Sequence, residues 1–162
     1  MSWLLLRVDD RLIHGQVLVA WGHHLHPERI WVVDDAAAGN AWEKDLMASA
    51  APDVDVQVVT VVTMTAAWAQ EDAAAGGAFL LVRDLKTARA LVESGATITR
   101  LNLGGLHYAP GKSKVNEYIY LDDADRAHAR ALLARGLTLE VQDVPGTAAR
   151  PLVALDPASA PA

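Results

Sequence analysis

Short apolar runs alternate with stretches of helical periodicity along almost the whole chain, and this alternation restricts the fold more than any other feature. Trp3 to Val8 is an apolar run ended by charge, as in a buried strand. Gly15 to Leu25 then places Val17, Leu18, Trp21 and Leu25 at helical spacing and stops before Pro27. Ile30 to Asp35 reads as a second strand, and Ala41 to Ala50 as a helix stopped by Pro52. The β-branched stretch Val54 to Val62 predicts a third strand, with Thr65 capping a helix that runs through Ala74. Ala78 to Val82 and a helix from Leu85 to Ser94, closed by Gly95, repeat the unit. A strand from Thr99 to Leu103, a glycine-rich loop, the strand-like EYIYL, a helix from Asp123 to Arg135 and the strand LTLEVQDV complete the series. Such β-α alternation predicts a single-domain α/β fold with a doubly wound, mostly parallel sheet and helices on both faces.

At 162 residues the chain makes one domain with a sizeable core. We assign that domain to residues 1–145 and expect the Pro- and Ala-rich stretch 146–162 to lie outside the core, partly disordered. A net charge of -6 argues against an extended nucleic-acid or anionic-membrane surface. The chain has no cysteine, which excludes disulfides and thiol chemistry and fits a reducing compartment. The N-terminal apolar run is too short for a signal h-region and lacks preceding basic residues. No stretch approaches the roughly 20 apolar residues of a membrane span, so a cytoplasmic location is expected.

In doubly wound sheets, ligands bind outside the carboxyl ends of the strands, so the loop after the first strand is privileged. It reads RVDDRLIHGQV, from Arg7 to Val17. With the helix starting near Gly15, His14 stands where unpaired amides and the helix dipole favour an anion. Arg11 reaches the same region with a planar fork of donors. Imidazole, guanidinium and helix start together suit a phosphoryl group. The imidazole then serves as nucleophile or as acid/base, with Asp9 or Asp10 fixing its tautomer. The plainer alternative is a capping aspartate, an Arg11–aspartate pair and a histidine that merely starts a helix.

RVDDRLIHGQV closely resembles the signature around the phosphorylated histidine in IIB components of the mannose/fructose/sorbose family of the bacterial sugar phosphotransferase system. VVDDAAAGNAWEKDLMASAAP is similar to that family's second strand and following helix, and LNLGGLHYAPGKSKVN to its Asn-x-Gly-Gly loop with a downstream Gly-Lys. LEVQDVP takes the family's C-terminal place, so the likeness runs to about Pro145. It implies a cytoplasmic phosphocarrier, a protein-phosphohistidine–sugar phosphotransferase. His14 would accept a phosphoryl group from the phosphohistidine of a IIA domain or subunit. The group would pass to a sugar entering through the membrane IIC and IID components. Arg11 would stabilise the phosphate, and Asp9 and Asp10 would shape the loop. The family also implies attachment at Nδ1. No metal or nucleotide cofactor is implied, because the donor is phosphohistidine and the acceptor a sugar hydroxyl. Because the chain opens directly on the IIB strand, the IIA is expected on a separate polypeptide. Two other readings stand beside this one. In the first, phosphorylated His14 signals the state of the system without transport; in the second, the loop holds an anion in a domain that transfers nothing.

Several other motifs invite competing readings. GGLHYAPGKS nearly matches the Walker A pattern, but five residues, Leu106 to Pro110, separate Gly105 from Gly111 where four are required. It also leads into a β-like segment. Asn102, Gly104 and Gly105 read as a close-packed turn at a strand end, beside the phosphorylation loop. His107 and Lys112 either join a phosphate-facing surface or belong to a solvated hairpin. His23, His24 and His26 suggest a metal, yet histidines in a last helical turn are favoured by the dipole without one. His128 lies among Arg126, Arg130 and Arg135 on what reads as a solvated helix face. Trp21, Trp31, Trp42 and Trp68 read as core or interface fillers rather than sugar platforms. Asp34-Asp35-Ala36 replaces the family's commoner Asn-Asp-Glu, and Leu106-His107-Tyr108 differs from its commoner Met-containing version; both bear on partner preference. Exposed apolar residues on the Ala-rich helices would suit a homodimer or contact with IIA and the permease.

Overall fold

The computed structural model describes residues 2–70 and 72–162. Strands β1 (Trp3–Asp9), β2 (Arg29–Val33), β3 (Asp55–Val59), β4 (Ala78–Val82), β5 (Arg100–Gly105), β8 (Thr138–Val141) and β9 (Arg150–Pro151) form one sheet in the order β3-β2-β4-β1-β5-β8-β9. All neighbours are parallel except β9, which pairs antiparallel with β8. Strands β6 (Ser113–Asn116) and β7 (Ile119–Leu121) form a separate antiparallel pair.

The apolar runs behave as the doubly covered strands of a parallel sheet must. In β4, Leu80 and Val82 enter one core, while Phe79 and Leu81 enter the other. The first core lies under α4 (Val61–Trp68), α5 (Leu85–Glu93) and α6 (Asp123–Ala134), through Met64, Leu91 and Leu132. The second is covered by a π-helical segment (Gln16–Trp21) continuing into α1 (Gly22–Leu25), by α2 (Asp35–Ala38) and by α3 (Ala41–Ala50), through Val17, Trp21, Ala37 and Met47. Helices thus cover both faces, as the alternation predicts. Among the described residues, no helix is long and apolar enough to cross a membrane.

From β1 the chain moves towards β2, whereas from β5 it moves the opposite way towards β8. The carboxyl ends of β1 and β5 therefore flank the topological switch point, where open α/β sheets place ligands.

Local boundaries depart from expectation where a cap competes with strand propensity. The predicted strand Val54–Val62 stops at Val59, because the Thr60 side chain accepts the Thr63 amide and starts α4 there. Thr65 is no cap; its hydroxyl donates to the Val61 carbonyl inside the helix, which ends at Trp68 rather than Ala74. The second strand ends at Val33, since Asp34 caps α2 by accepting the Ala37 amide. EYIYL contributes only Ile119–Leu121, and LTLEVQDV only Thr138–Val141, to strands. The predicted strand Thr99–Leu103 shifts to Arg100–Gly105, so Gly104 and Gly105 lie inside β5 instead of forming a turn.

Residues 146–162, expected outside the core, are packed onto it. Arg150–Pro151 extends the sheet and Leu152 is fully buried, starting α7 (Leu152–Leu155). Asp156 then receives two N–H bonds from Arg126. A composition rich in Pro and Ala marks irregular backbone, which is anchored here by buried Leu152 and Ser159, the β8–β9 pairing, the Arg126–Asp156 pair and an Arg130 bond to the Ala158 carbonyl.

Candidate functional site

Alternation along β1 puts Arg7 and Asp9 on the same face of the strand. Both side chains are fully buried and face each other, with Arg7 Nη2 3.0 Å from Asp9 Oδ2. Arg7 also donates from Nη1 to Asn102 Oδ1 at 2.8 Å and to the carbonyls of Gln142 and Asp143. Its guanidinium lies 5.6 Å from the centre of the Trp21 ring, whose Nε1 donates to the same Asp143 carbonyl. A buried cation is tolerable when its donors are this fully engaged. Burial pulls the Arg7 pKa down, with the Asp9 charge acting in the opposite sense.

The double glycine makes room for this arrangement. A Cβ on Gly104 would stand 1.8 Å from Arg7 Cζ. A Cβ on Gly105 would stand 3.0 Å from Arg11 Nη2, 3.1 Å from Asp9 Oδ1 and 3.2 Å from the His107 Cε1 atom. Gly104 is therefore needed for close approach and Gly105 keeps its surroundings from crowding, although both have ordinary strand backbone.

After Asp9 the backbone makes a tight reversal: the Asp10 amide donates to the Gly105 carbonyl and the Leu12 amide to the Asp9 carbonyl. Leu12 has φ 55°, a left-handed conformation that costs a leucine about 1–2 kcal/mol. Its side chain is nevertheless buried, anchoring the loop from below. Arg11 and His14 are thereby left on the accessible side.

Asp9 is the hub. It accepts Arg11 Nε and the Arg11 amide on Oδ1, Arg11 Nη2 on Oδ2, and lies 3.0 Å from His14 Nε2. Burial alone would push this carboxyl up; hydrogen bonds from His14 and Arg11 and the Arg7 charge outweigh that and hold it well below the usual carboxylate range. An ionised Asp9 accepts only, so the His14 proton resides on Nε2 and the lone pair on Nδ1. Consistently, Nδ1 faces the Gln16 amide at 3.3 Å, where it acts as acceptor. The His14 side chain is 15% exposed and that of Arg11 36%, so both remain reachable from solvent. Gln16 Oε1 receives Arg11 Nη2 at 3.0 Å and ties the arginine to the helix start.

Of the sequence-predicted residues, His14, Arg11 and Asp9 converge as expected. Asp10 does not reach His14; its carboxylate turns to His107, accepting the His107 amide and ring Nδ1, each at 2.7 Å. Asn102 binds Arg7. Lys112 lies away, paired with Asp125 at 3.2 Å. The segment after Gly105 enters the β6–β7 hairpin rather than a helix, so the near-Walker pattern has no phosphate-binding helix start. His23 and His24 lie in α1 and His26 follows it at φ 52°. Trp21 and Trp31 are buried, Trp68 stacks on Trp3 at 4.7 Å, and Trp42 is 71% exposed. Sequence reasoning missed Arg7 and Gln16. The signal for Arg7 was present: a cation inside an otherwise apolar strand, two residues before an aspartate.

A sequence model of the family described as "PTS system sorbose subfamily IIB component" matches residues 3–157. The mannose-specific EIIAB component of Escherichia coli K12 is 38% identical over 141 residues, covering 86% of this chain but 44% of that protein. The chain thus spans under half the length of that relative. The N-acetylgalactosamine-specific phosphotransferase enzyme IIB component 1 of the same organism is 33% identical over 144 residues, covering 88% of this chain and 91% of that one. Among solved structures, the IIBSor domain of the sorbose permease from Klebsiella pneumoniae superposes with a TM-score of 0.88 at 28% identity, over 96% of each chain.

Proposed function

Because the chain belongs to the sorbose subfamily of phosphotransferase-system IIB components, we propose that it is a phosphocarrier in which His14 Nδ1 takes a phosphoryl group from a IIA phosphohistidine and delivers it to a sugar brought by IIC and IID permease components. The observation that carries this reading is the Asp9 carboxylate on His14 Nε2 at 3.0 Å. That contact keeps the proton on Nε2 and leaves Nδ1 as the nucleophile.

In the first half-reaction, the Nδ1 lone pair forms a bond to phosphorus as the donor's P–N bond breaks and its electron pair returns to the donor imidazole. The phosphorylated ring retains its Nε2 proton and so carries positive charge, which buried Asp9 opposes. Arg11 is already oriented by Asp9 and Gln16, and its outer edge meets the phosphoryl oxygens without reorganisation. In the second half-reaction, a sugar hydroxyl oxygen attacks phosphorus and loses its proton, while the P–Nδ1 bond breaks and its electron pair returns to His14. Because Nε2 is still protonated, the leaving group is a neutral imidazole rather than its anion. Relatives are named for mannose, N-acetylgalactosamine, fructose and sorbose, which define the sugars to try.

The test is transfer of radiolabelled phosphate from phosphorylated IIA. Wild-type protein is expected to take up acid-labile, alkali-stable label, and His14→Ala none. Label on His14→Ala at the wild-type level would overturn the assignment.

A further inference from the structure

Asp10 and His107 form a second carboxylate–imidazole pair beside the first, and carrying phosphate on His14 gives it no part. Asp10 grips its partner twice: Oδ2 accepts the His107 amide and Oδ1 the ring Nδ1–H, each at 2.7 Å. An ionised carboxylate at Nδ1 puts the lone pair of the neutral ring on Nε2. The ring is not packed away, since 47% of the side chain is exposed.

Its orientation follows from Gly105. The point where a Cβ on that residue would stand is 3.2 Å from His107 Cε1, 3.0 Å from Arg11 Nη2 and 3.1 Å from Asp9 Oδ1. Three side chains therefore ring one tight gap beside Gly105. Cε1 is the ring atom between Nδ1 and Nε2, so with Nδ1 held by Asp10 the ring carries its Cε1 side beside Arg11 and Asp9 of the phosphorylation site. The backbone locks the two loops together there, with the Asp10 amide donating to the Gly105 carbonyl at 2.9 Å.

Resting on His14 as the phosphoacceptor, we infer that His107 is the general base of the second half-reaction, positioned by Asp10. The sugar hydroxyl oxygen forms its bond to phosphorus while the hydroxyl proton passes to His107 Nε2. The P–Nδ1 bond breaks and its electron pair returns to His14. Asp10 balances the charge that His107 gains, and the proton leaves to solvent from the exposed ring. The first half-reaction has no hydroxyl to deprotonate and gives this base nothing to do. The two Asp–His pairs thus divide the labour: the inner one carries phosphate and the outer one carries the proton.

The experiment separates the two half-reactions. Wild-type and His107→Ala proteins are loaded from phosphorylated IIA, then mixed with vesicles bearing the IIC and IID components and, in turn, mannose, N-acetylgalactosamine, fructose or sorbose. His107→Ala is expected to slow sugar phosphorylation about 100-fold, the low end for general bases because phosphoryl transfer builds little charge on the entering oxygen. Loading of His14 should slow by less than about threefold, since it needs no base. Added imidazole should restore much of the sugar step, which a structural role for the ring would not allow. Equal slowing of both half-reactions without imidazole rescue would overturn the inference, as would an unchanged sugar step. Failure of the wild-type protein to load at all would instead overturn the assignment of His14, and this inference with it.

Discussion

Alanine at Gly104 would set a methyl carbon 1.8 Å from Arg7 Cζ and 2.1 Å from Nη2, about half an ordinary carbon contact distance. Relief requires the guanidinium to move by roughly 2 Å. Hydrogen bonds tolerate only a few tenths of an ångström around 2.7–3.2 Å, so Arg7 would lose most of its links to Asp9, Asn102 and the carbonyls of Gln142 and Asp143. Breaking a buried ion pair costs about 3–5 kcal/mol. A domain of this size is stable by about 5–15 kcal/mol, so Gly104→Ala should fold but melt roughly 10 °C or more below wild type. Arg7→Ala alone should cost a similar amount, because it leaves Asp9 and Asn102 short of a partner. On that background, however, the Gly104 methyl displaces nothing and should add less than about 1 kcal/mol. Urea unfolding of the four proteins measures this directly, with midpoints compared at a common slope. The expected coupling between the two substitutions is at least about 2 kcal/mol. Costs that add to within about 0.5 kcal/mol would show that Gly104 is not kept small for Arg7.

Arg11→Ala should slow loading of His14 about 100-fold while costing under about 1 kcal/mol of stability, since Arg11 is one-third exposed and Arg7 still serves Asp9; phosphotransfer rates and a melting curve check both halves. Asp9 has a folded pKa below its unfolded one, so its stabilisation is present above the ordinary carboxylate value near 3.9 and is lost as pH falls through the folded value. Asp9→Asn should therefore differ most from wild type at neutral pH and converge on it in acid, as urea midpoints across pH would show. Leu12→Gly should be more stable than Leu12→Ala by about 1 kcal/mol, the reverse of the usual order, because φ is 55° there and both variants lose the same buried side chain. Removing residues 146–162 should lower Tm by several degrees through loss of Leu152 burial and the Arg126–Asp156 pair; an unchanged Tm would mean that the packed tail contributes nothing.

What is legible in the sequence, and what is not, follows a physical division. Periodicity reports burial, so the parallel sheet, the two covered faces and the position of RVDDRLIHGQV at a carboxyl strand end can all be read from it. Caps report single hydrogen bonds. Thr60 and Asp34 move boundaries because one side-chain oxygen at a helix start outweighs the β propensity of the neighbouring valines, Val59 and Val61 around Thr60 and Val33 before Asp34. Composition misplaces the C-terminal stretch because it averages over residues, whereas Leu152 and Asp156 anchor that stretch individually.

The site divides in the same way. His14 and Arg11 are legible because a short loop at a carboxyl strand end has little core to fill, so an imidazole and a guanidinium placed there face solvent and whatever it brings. The partition of the two aspartates is not, since adjacent residues at a strand end point to opposite sides and spacing does not say which faces the helix start. Structure resolves this through Arg7: its buried charge fixes Asp9 inward, and Asp10 is therefore the residue free to turn to His107. The DD pair after the first strand thus serves two imidazoles rather than one. The double glycine, which from sequence reads only as a turn, is what allows Arg7 to lie beneath Gly104 and His107 to lie beside Gly105. Five positions in two distant segments, Arg7 with Gly104 and both Asp9 and Asp10 with Gly105, are tied into one arrangement by volume and charge. No periodicity encodes such a tie, because it runs across neighbouring strands rather than along either of them.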